Sequence, residues 1–291
     1  MNNILMVTVL VPAYNHEKYI LECLESIHNQ TYRDFQWIVV DDCSTDNTPS
    51  ILKENKDKYG YELILHKKNK GISATLTEMI KDYVKGEYMV ICSSDDVFLP
   101  NKIEAQLHFL KNHPEYAMCY SRSIPMNESS EELPDKDHSK YKSGYIFEDV
   151  LCRKFFMGVD TMYRTEVLRN VDAYESGVIA EDYYMYTKIA QKYQIGFLDM
   201  YLYKYRVAEL SKKRDPWDLV MSHRQTVDMY KDMPVYPKAV RSWEILSAMI
   251  IASYKKYKLR AIKYFIKNSL YFISKPVDCL RMIKYLLIIW K

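Results

Sequence analysis

Two rhythms of apolar positions alternate along the first half of the chain. VTVLVPAYN is a short β-rich run that ends at Pro12, and FQWIVV, YELILH, EYMVIC and YAMCYS repeat that character further on. Between these runs, apolar residues recur at helical spacing. EKYILECLESI carries Ile20, Leu21, Leu24 and Ile27. DNTPSILKENKDKYG offers Thr48 as an N-cap with Pro49 at the first helical position. ISATLTEMIKDYV predicts a helix stopped by Gly86, and NKIEAQLHFLKNH another. Strands alternating with helices at this pitch predict βαβ units and a doubly wound, mostly parallel α/β sheet flanked by helices.

The second half is less regular. Residues 127–143 are polar and charged and predict a mobile surface loop. YIFEDVLCRKF and EDYYMYTKIAQKY predict helices, and GVDTMYR, IGFL and YLYKYRV predict strands. From Trp217 onward the pattern is mostly helical. Ile262, Phe265, Ile266, Leu270 and Ile273 are expected on one face, Lys263 and Lys267 on the other, with Pro276 as a break. The organisation expected is a sheet domain over 1–215 and a helical, amphipathic extension over 216–291.

In a sheet of this kind, ligands bind outside the carboxyl ends of the strands. Tyr14 and Asn15, Asp41 and Asp42, and Asp95 and Asp96 each follow directly after a predicted strand. Two acidic pairs and a tyrosine therefore line one edge. An adjacent carboxylate pair repels itself and is costly to bury, but can hold a divalent cation such as Mg²⁺ or Mn²⁺ through oxygen. A solvated turn capping the next helix is the plainer alternative for either pair. Glu181 and Asp182 open a predicted helix, where acids are favoured by the helix dipole in any case.

Composition narrows the picture. The chain has 291 residues, 27% of them charged, with only 7 glycines and 10 prolines, which suits a globular protein. The net charge of +3 hides an asymmetry: residues 251–291 hold ten Lys/Arg against Asp278 alone, while the rest holds 31 basic and 37 acidic residues. An acidic body with a basic, aliphatic tail disfavours nucleic acid as partner. The tail reads either as an interfacial helix on a membrane surface or as a helix packed on the core. The six cysteines form no C-x-x-C pair, which argues against zinc and for a reducing compartment. No run of about 18 apolar residues predicts a transmembrane helix. There is no G-x-x-x-x-G-K and no G-x-G-x-x-G, so a bound nucleotide would rely on a metal and side chains for its phosphates.

Taken together, VTVLVPAYNHEKYILECLESIHNQTYRDFQWIVVDDCSTDNT, NKGISATLTEMI, KGEYMVICSSDDVFLPNKIE and AEDYYMYTKIA resemble family 2 glycosyltransferases of the GT-A fold, over roughly residues 7–206. The resemblance implies an inverting enzyme that uses a nucleotide-sugar donor. It gives Ser94, Asp95 and Asp96 the DXD role, with Asp96 on the metal (Mn²⁺ or Mg²⁺) and Asp95 on the ribose or sugar. It places Asp42 on the base with Tyr14 beside it, Asp41 in support, and Pro12 and Asn15 along the donor. Asp182 becomes the catalytic base with Glu181 as its neighbour. The His that often follows the family's Tyr-Arg pair is missing, since Tyr205 and Arg206 lead to Val207. Arg206, with Lys212, Lys213 and Arg214, is expected to meet the diphosphate instead, unless that basic run is simply solvated. His16 reads as a surface residue.

The expected activity is transfer of a hexose or N-acetylhexosamine, with UDP the expected nucleotide, to a lipid-linked or surface-polysaccharide acceptor. The expected location is cytoplasmic, peripheral on the inner face of the membrane. A catalytically weak, nucleotide-sugar-binding scaffold is the alternative. A nucleotidyltransferase is a more distant one, disfavoured by the absent Gly-rich loop.

Overall fold

The computed structural model describes residues 6–135, 140–155, 157–171, 178–207 and 215–287. The strands are β1 (Val7–Ala13), β2 (Phe35–Asp41), β3 (Glu62–Leu65), β4 (Tyr88–Ile91), β5 (Val97–Phe98), β6 (Tyr116–Met126), β7 (Thr161–Arg164) and β8 (Gln194–Arg206). The helices are α1 (Ile20–His28), α2 (Thr48–Tyr59), α3 (Ile72–Glu78), α4 (Lys102–Asn112), α5 (Phe147–Leu151), α6 (Thr165–Asn170), α7 (Glu181–Lys192), α8 (Pro216–Asp228), α9 (Tyr236–Ile251), α10 (Lys258–Lys267), α11 (Ser269–Ser274) and α12 (Pro276–Leu287). The chain forms two compact units: residues 1–146 with 155–211, and residues 147–154 with 212–291. The segment 147–154, which carries α5, thus belongs with the C-terminal helices and not with the sheet.

The sheet runs β3-β2-β1-β4-β7-β6-β8-β5. β1, β2, β3 and β4 pair in parallel, as do β6 and β8, while β7 runs antiparallel between β4 and β6. The carboxyl ends of β1, β2, β4, β6 and β8 therefore share one edge. Every residue of β1 is buried, as expected for a central strand covered on both faces. On α1, Ile20, Cys23, Leu24 and Ile27 face the core; Leu21, expected with them, points outward.

Several expected boundaries move. Thr48 lies inside α2, with Asn47 as its N-cap. IGFL and YLYKYRV form one strand, β8, whose pairing with β6 shifts register where the two runs meet. The third helix widens into a π-helical turn over Met79–Tyr83 and ends there. Gly86 serves a different purpose: a Cβ on it would lie 2.7 Å from backbone atoms of Val7 and Thr8. The part of the polar loop described here is pinned, with Leu133 N–H donating to Pro125 O at 2.7 Å and Tyr201 OH to Asp135 at 2.8 Å. Residues 136–139 and the basic run Lys212, Lys213 and Arg214 lie outside the described residues.

The second unit departs from its expected helical face. Asn268 separates α10 from α11 and resets the helical phase. Ile262 and Phe265 are half-buried, whereas Ile266, Leu270 and Ile273 are exposed. Pro276 opens α12 instead of merely breaking a helix.

Beneath the sheet lies a fully buried ion pair, Lys102 Nζ to Asp160 at 3.0 Å, both side chains 0% exposed. Lys102 also donates to Gln106 (2.6 Å), and Gln106 donates to Asp160 (2.9 Å) and to Ser121 (2.8 Å). Ser121 Oγ in turn donates to Asp160 at 2.9 Å. Each polar group is satisfied, which is the condition for burying charge. Lys102→Met should leave Asp160 as an unpaired buried charge and cost about 3–5 kcal/mol. Replacing both residues, Lys102→Met with Asp160→Leu, should restore much of that loss. Urea unfolding of the two variants checks the difference.

Candidate active site

The loops after β1 and β2 are stitched together. Asn15 adopts a left-handed backbone (φ 53°), an αL conformation that asparagine tolerates. Its N–H donates to Ser44 Oγ at 2.9 Å, and its side-chain oxygen accepts from Thr45 N–H at 2.8 Å. Asp41, at the end of β2, accepts from the N–H and hydroxyl of Ser44 and shapes this turn. Asp42 reaches the other way and accepts from Lys70 N–H (2.8 Å), Gly71 N–H (2.8 Å) and the His66 ring (2.7 Å). A carboxylate offers roughly four lone-pair positions, so about one remains for a ligand. Tyr14, 44% exposed, is the open group at this corner.

The second acidic pair is split between inside and outside. Asp96 is buried; its Oδ2 accepts from Tyr203 OH at 2.8 Å and its Oδ1 from Arg206 N–H at 2.6 Å. Burial, and then the charge of Asp95 beside it, push its carboxyl well above the ordinary carboxylate range. Asp95 is the outer member, and His16 lies against it with Nε2 3.8 Å from Oδ2. His16 Nδ1 and Ser94 Oγ share a hydrogen bond of 2.7 Å. His16 is therefore part of the site and not a surface bystander, a correction to its sequence reading.

Arg206 is a second correction. Its side chain is fully buried. It donates to Asp95 O (2.8 Å), Asn127 O (2.9 Å), Ser130 Oγ (3.0 Å) and Glu22 (2.6 Å), and it stacks over Tyr19 at 4.3 Å. The guanidinium fixes the turn that carries the acidic pair, and its donors are directed at protein groups instead of a diphosphate.

Glu181 and Asp182 at the start of α7 line a small cavity of about 70 Å³ together with Pro12, Ser93 and Tyr203. Tyr203 thus touches Asp96 and borders Asp182. Burial pushes the Asp182 carboxyl up to about 6. A larger cavity of about 500 Å³ opens at the ends of β6 and β8, between Ser123, Asp135, Tyr141, Met157 and Tyr205.

The donor set of the acidic pair can be tested against a cation. Hard carboxylate oxygens suit Mg²⁺ or Mn²⁺, and a cation would offset the two effects that raise the Asp96 carboxyl, first its burial and then the charge of Asp95. Among the described residues, no three His, Cys, Asp or Glu side chains surround a common point. The fit is to an ion held by one or two carboxylates that completes its shell with water and phosphate oxygens.

The mostly parallel sheet flanked by helices is a GT-A fold. The sequence profile described as "Glycosyl transferase family 2" matches residues 8–172. An uncharacterized glycosyltransferase of Rickettsia felis is 31% identical over 211 residues, 69% of this chain and 33% of that protein. The chain thus spans only a third of that relative's length. Another from Methanocaldococcus jannaschii is 28% identical over 207 residues, covering 69% of this chain and 71% of that protein. Among solved structures, S. aureus TarS 1-349 in complex with UDP-GlcNAc matches with a TM-score of 0.64 at 21% identity, over 97% of this chain and 79% of that one. The mannosyltransferase PcManGT from Pyrobaculum calidifontis, in complex with GDP-Man and Mn2+, matches with a TM-score of 0.61 at 18% identity, over 97% and 84%. The chain belongs to glycosyl transferase family 2.

The raised Asp182 carboxyl has a consequence for stability that needs no substrate. Its folded value of about 6 lies above the ordinary 3.8, so the folded protein binds this proton more tightly than the unfolded chain does. Ionised Asp182 therefore costs stability, fully above about pH 6 and not at all below about pH 4. Asp182→Asn should be more stable than wild type by about 2–3 kcal/mol at pH 8, with the difference gone at pH 3.5. Unfolding curves across that range check it.

Proposed function

We propose that the protein is an inverting glycosyltransferase that moves a hexose or N-acetylhexosamine from a nucleotide sugar to a glycan or lipid-linked sugar acceptor. The observation that carries this reading is Asp182: a carboxyl at the strand-end edge, pushed up to about 6 and so poised to take a proton near neutral pH. UDP is the proposed nucleotide. The base sits against Tyr14 and the remaining acceptor position of Asp42, while Pro12 and Asn15 shape the strand-end loop beside it. Asp95 and Asp96 would hold a divalent cation between them and the donor phosphates. That cation, when bound, neutralises the charge developing on the departing nucleoside diphosphate.

The chain's own residues do the rest. Asp182 accepts the proton of the acceptor hydroxyl as its oxygen forms a bond to C1. The bond from C1 to the diphosphate oxygen breaks with its electron pair leaving on the nucleotide, and C1 inverts. Glu181 lines the same small cavity beside Asp182. Tyr203 and Arg206 hold the acidic pair in place, and His16 steadies Ser94 and Asp95. The 500 Å³ cavity beside Tyr205 suits an acceptor saccharide, with the faces of Tyr141 and Tyr205 for a sugar ring and the carboxylate of Asp135 for its hydroxyls. Ser123 Oγ, buried in this wall with no hydrogen-bond partner among the described residues, fits a ligand hydroxyl.

The scaffold alternative draws on Arg206, which is turned inward, and on Asp42, which is largely engaged. Turnover decides between them. With a panel of nucleotide sugars, wild type should release nucleoside diphosphate with an acidic limb near pH 6. Asp182→Asn should lose about 10²–10⁴-fold in turnover while still binding nucleotide. Binding of nucleotide by wild type with no turnover on any donor would favour the scaffold.

Calorimetry of nucleotide binding with and without Mn²⁺ addresses the donor site. Binding should strengthen with Mn²⁺ in wild type and lose that dependence in Asp95→Asn. Asp96→Asn should lose it too. Equal binding with and without Mn²⁺ in all three proteins would remove the cation from the mechanism.

A further inference from the structure

The second unit carries two outward ridges of aliphatic side chains. On α10 and α11, Leu259 (85% exposed), Ile266, Leu270 (77%) and Ile273 (72%) project away from the unit's buried residues, Ala261 and Phe272. On α12, Val277 (71%), Leu280 and Leu287 (70%) do the same, opposite the buried Met282. With Phe265 packed on Phe272 at a ring separation of 4.7 Å, this stretch is apolar on its inner side as well as its outer one. Helices apolar on both sides are normally covered on both, and exposed apolar patches of this extent mark interaction surfaces.

The cations show what covers them. Lys256 pairs with Asp215 at 3.0 Å, Lys267 with Glu244 at 2.5 Å, and Arg260 stacks on Trp217 at 3.8 Å. These three are spent within the unit. Lys263, Arg281 and Lys284 are exposed and make no ion pair among the described residues. Each lies among the ridge residues by helical spacing: Lys263 is four after Leu259 and three before Ile266, Arg281 is four after Val277, and Lys284 is four after Leu280 and three before Leu287.

We infer that these ridges seat on an anionic lipid surface, with the aliphatic side chains entering the acyl boundary and Lys263, Arg281 and Lys284 reaching up to the headgroups. Long cationic side chains interleaved with aliphatics do this readily, because the stem can lie in the apolar layer while the charge stays in the polar one. A second copy of the chain fits less well. Protein interface cores are depleted in Lys, and residues 251–291 of a second copy would bring the same ten cations against one acid. No helix among the described residues is long and apolar enough to cross a membrane.

The test uses the full chain without donor or acceptor, so it stands apart from the glycosyl-transfer reading. The probes are phosphatidylcholine vesicles with and without phosphatidylglycerol, read by co-sedimentation. Wild type should bind the phosphatidylglycerol vesicles, weaken with salt, and bind pure phosphatidylcholine poorly. Lys263→Gln/Arg281→Gln/Lys284→Gln should lower the partition coefficient about a hundredfold. Leu270→Gln/Ile273→Gln/Leu280→Gln should lower it at least tenfold, and both variants should melt as wild type does. Wild type that ignores both vesicles, or variants that bind as well as wild type, would overturn the inference. So would a dimer in ultracentrifugation that the aliphatic variant dissociates while no protein reaches the vesicles.

Discussion

The buried Lys102–Asp160 pair is the constraint on which the edge chemistry depends. Lys102 comes from the start of α4, directly after the acidic turn, and Asp160 from the approach to β7. Their attraction, closed by Gln106 and Ser121, ties α4, β6 and β7 together. The Lys102 ammonium also lies over the Phe98 ring at 4.6 Å and within 6.0 Å of the Tyr203 ring. Tyr203 carries this order upward, since its hydroxyl ends on Asp96. A charge that must be satisfied in the core thus helps to position a carboxylate at the ligand edge.

Two neighbouring aspartates can persist at a strand end when they solve the repulsion differently. Asp96 turns inward and accepts two hydrogen bonds, from Tyr203 and from the Arg206 backbone. Asp95 turns outward, while its carbonyl is held by the Arg206 guanidinium. Arg206 therefore grips both members of the pair through different atoms. Glu22 on α1 and the loop oxygens of Asn127 and Ser130 complete its shell. The arginine thus spends its donors on the geometry of the turn.

Much of this arrangement was legible in the sequence. Strand-and-turn alternation placed Tyr14, Asp41–Asp42 and Asp95–Asp96 on one edge because parallel strands put their carboxyl ends together. What the sequence withheld was long-range. Lys102 and Asp160 are 58 positions apart in a chain whose surface is full of similar charges, so no local pattern marks them as a pair. Tyr203 is one of 27 tyrosines, and only tertiary contact distinguishes it. His16 did leave a trace, since it follows the Tyr14–Asn15 turn directly, but its partner Ser94 lies across the sheet edge. The reading of Gly86 as a helix stop failed because the glycine answers to the β1 backbone and not to its own helix.

The C-terminal helices are not a simple appendage. The chain enters their unit early, through α5 and the turn after it, before returning to complete the sheet. There Phe147 meets the Tyr230 ring at 5.0 Å, Arg153 meets His223 at 3.0 Å, and Glu148 pairs with Lys238. Val150, Leu151 and Cys152 are buried. Removing the chain after residue 215 would therefore strip α5 of its packing partners and expose apolar surface in the middle of the remaining sequence. The loss of any property on such a truncation would confound the tail's contacts with the stability of the segment that joins β6 to β7. Substitutions on the outward ridges avoid that problem, because Leu270, Ile273 and Leu280 contribute little to the unit's own core. The same connectivity gives the helices a reason to be there without any partner: they cover α5, and only their outer sides are left for something else to bury.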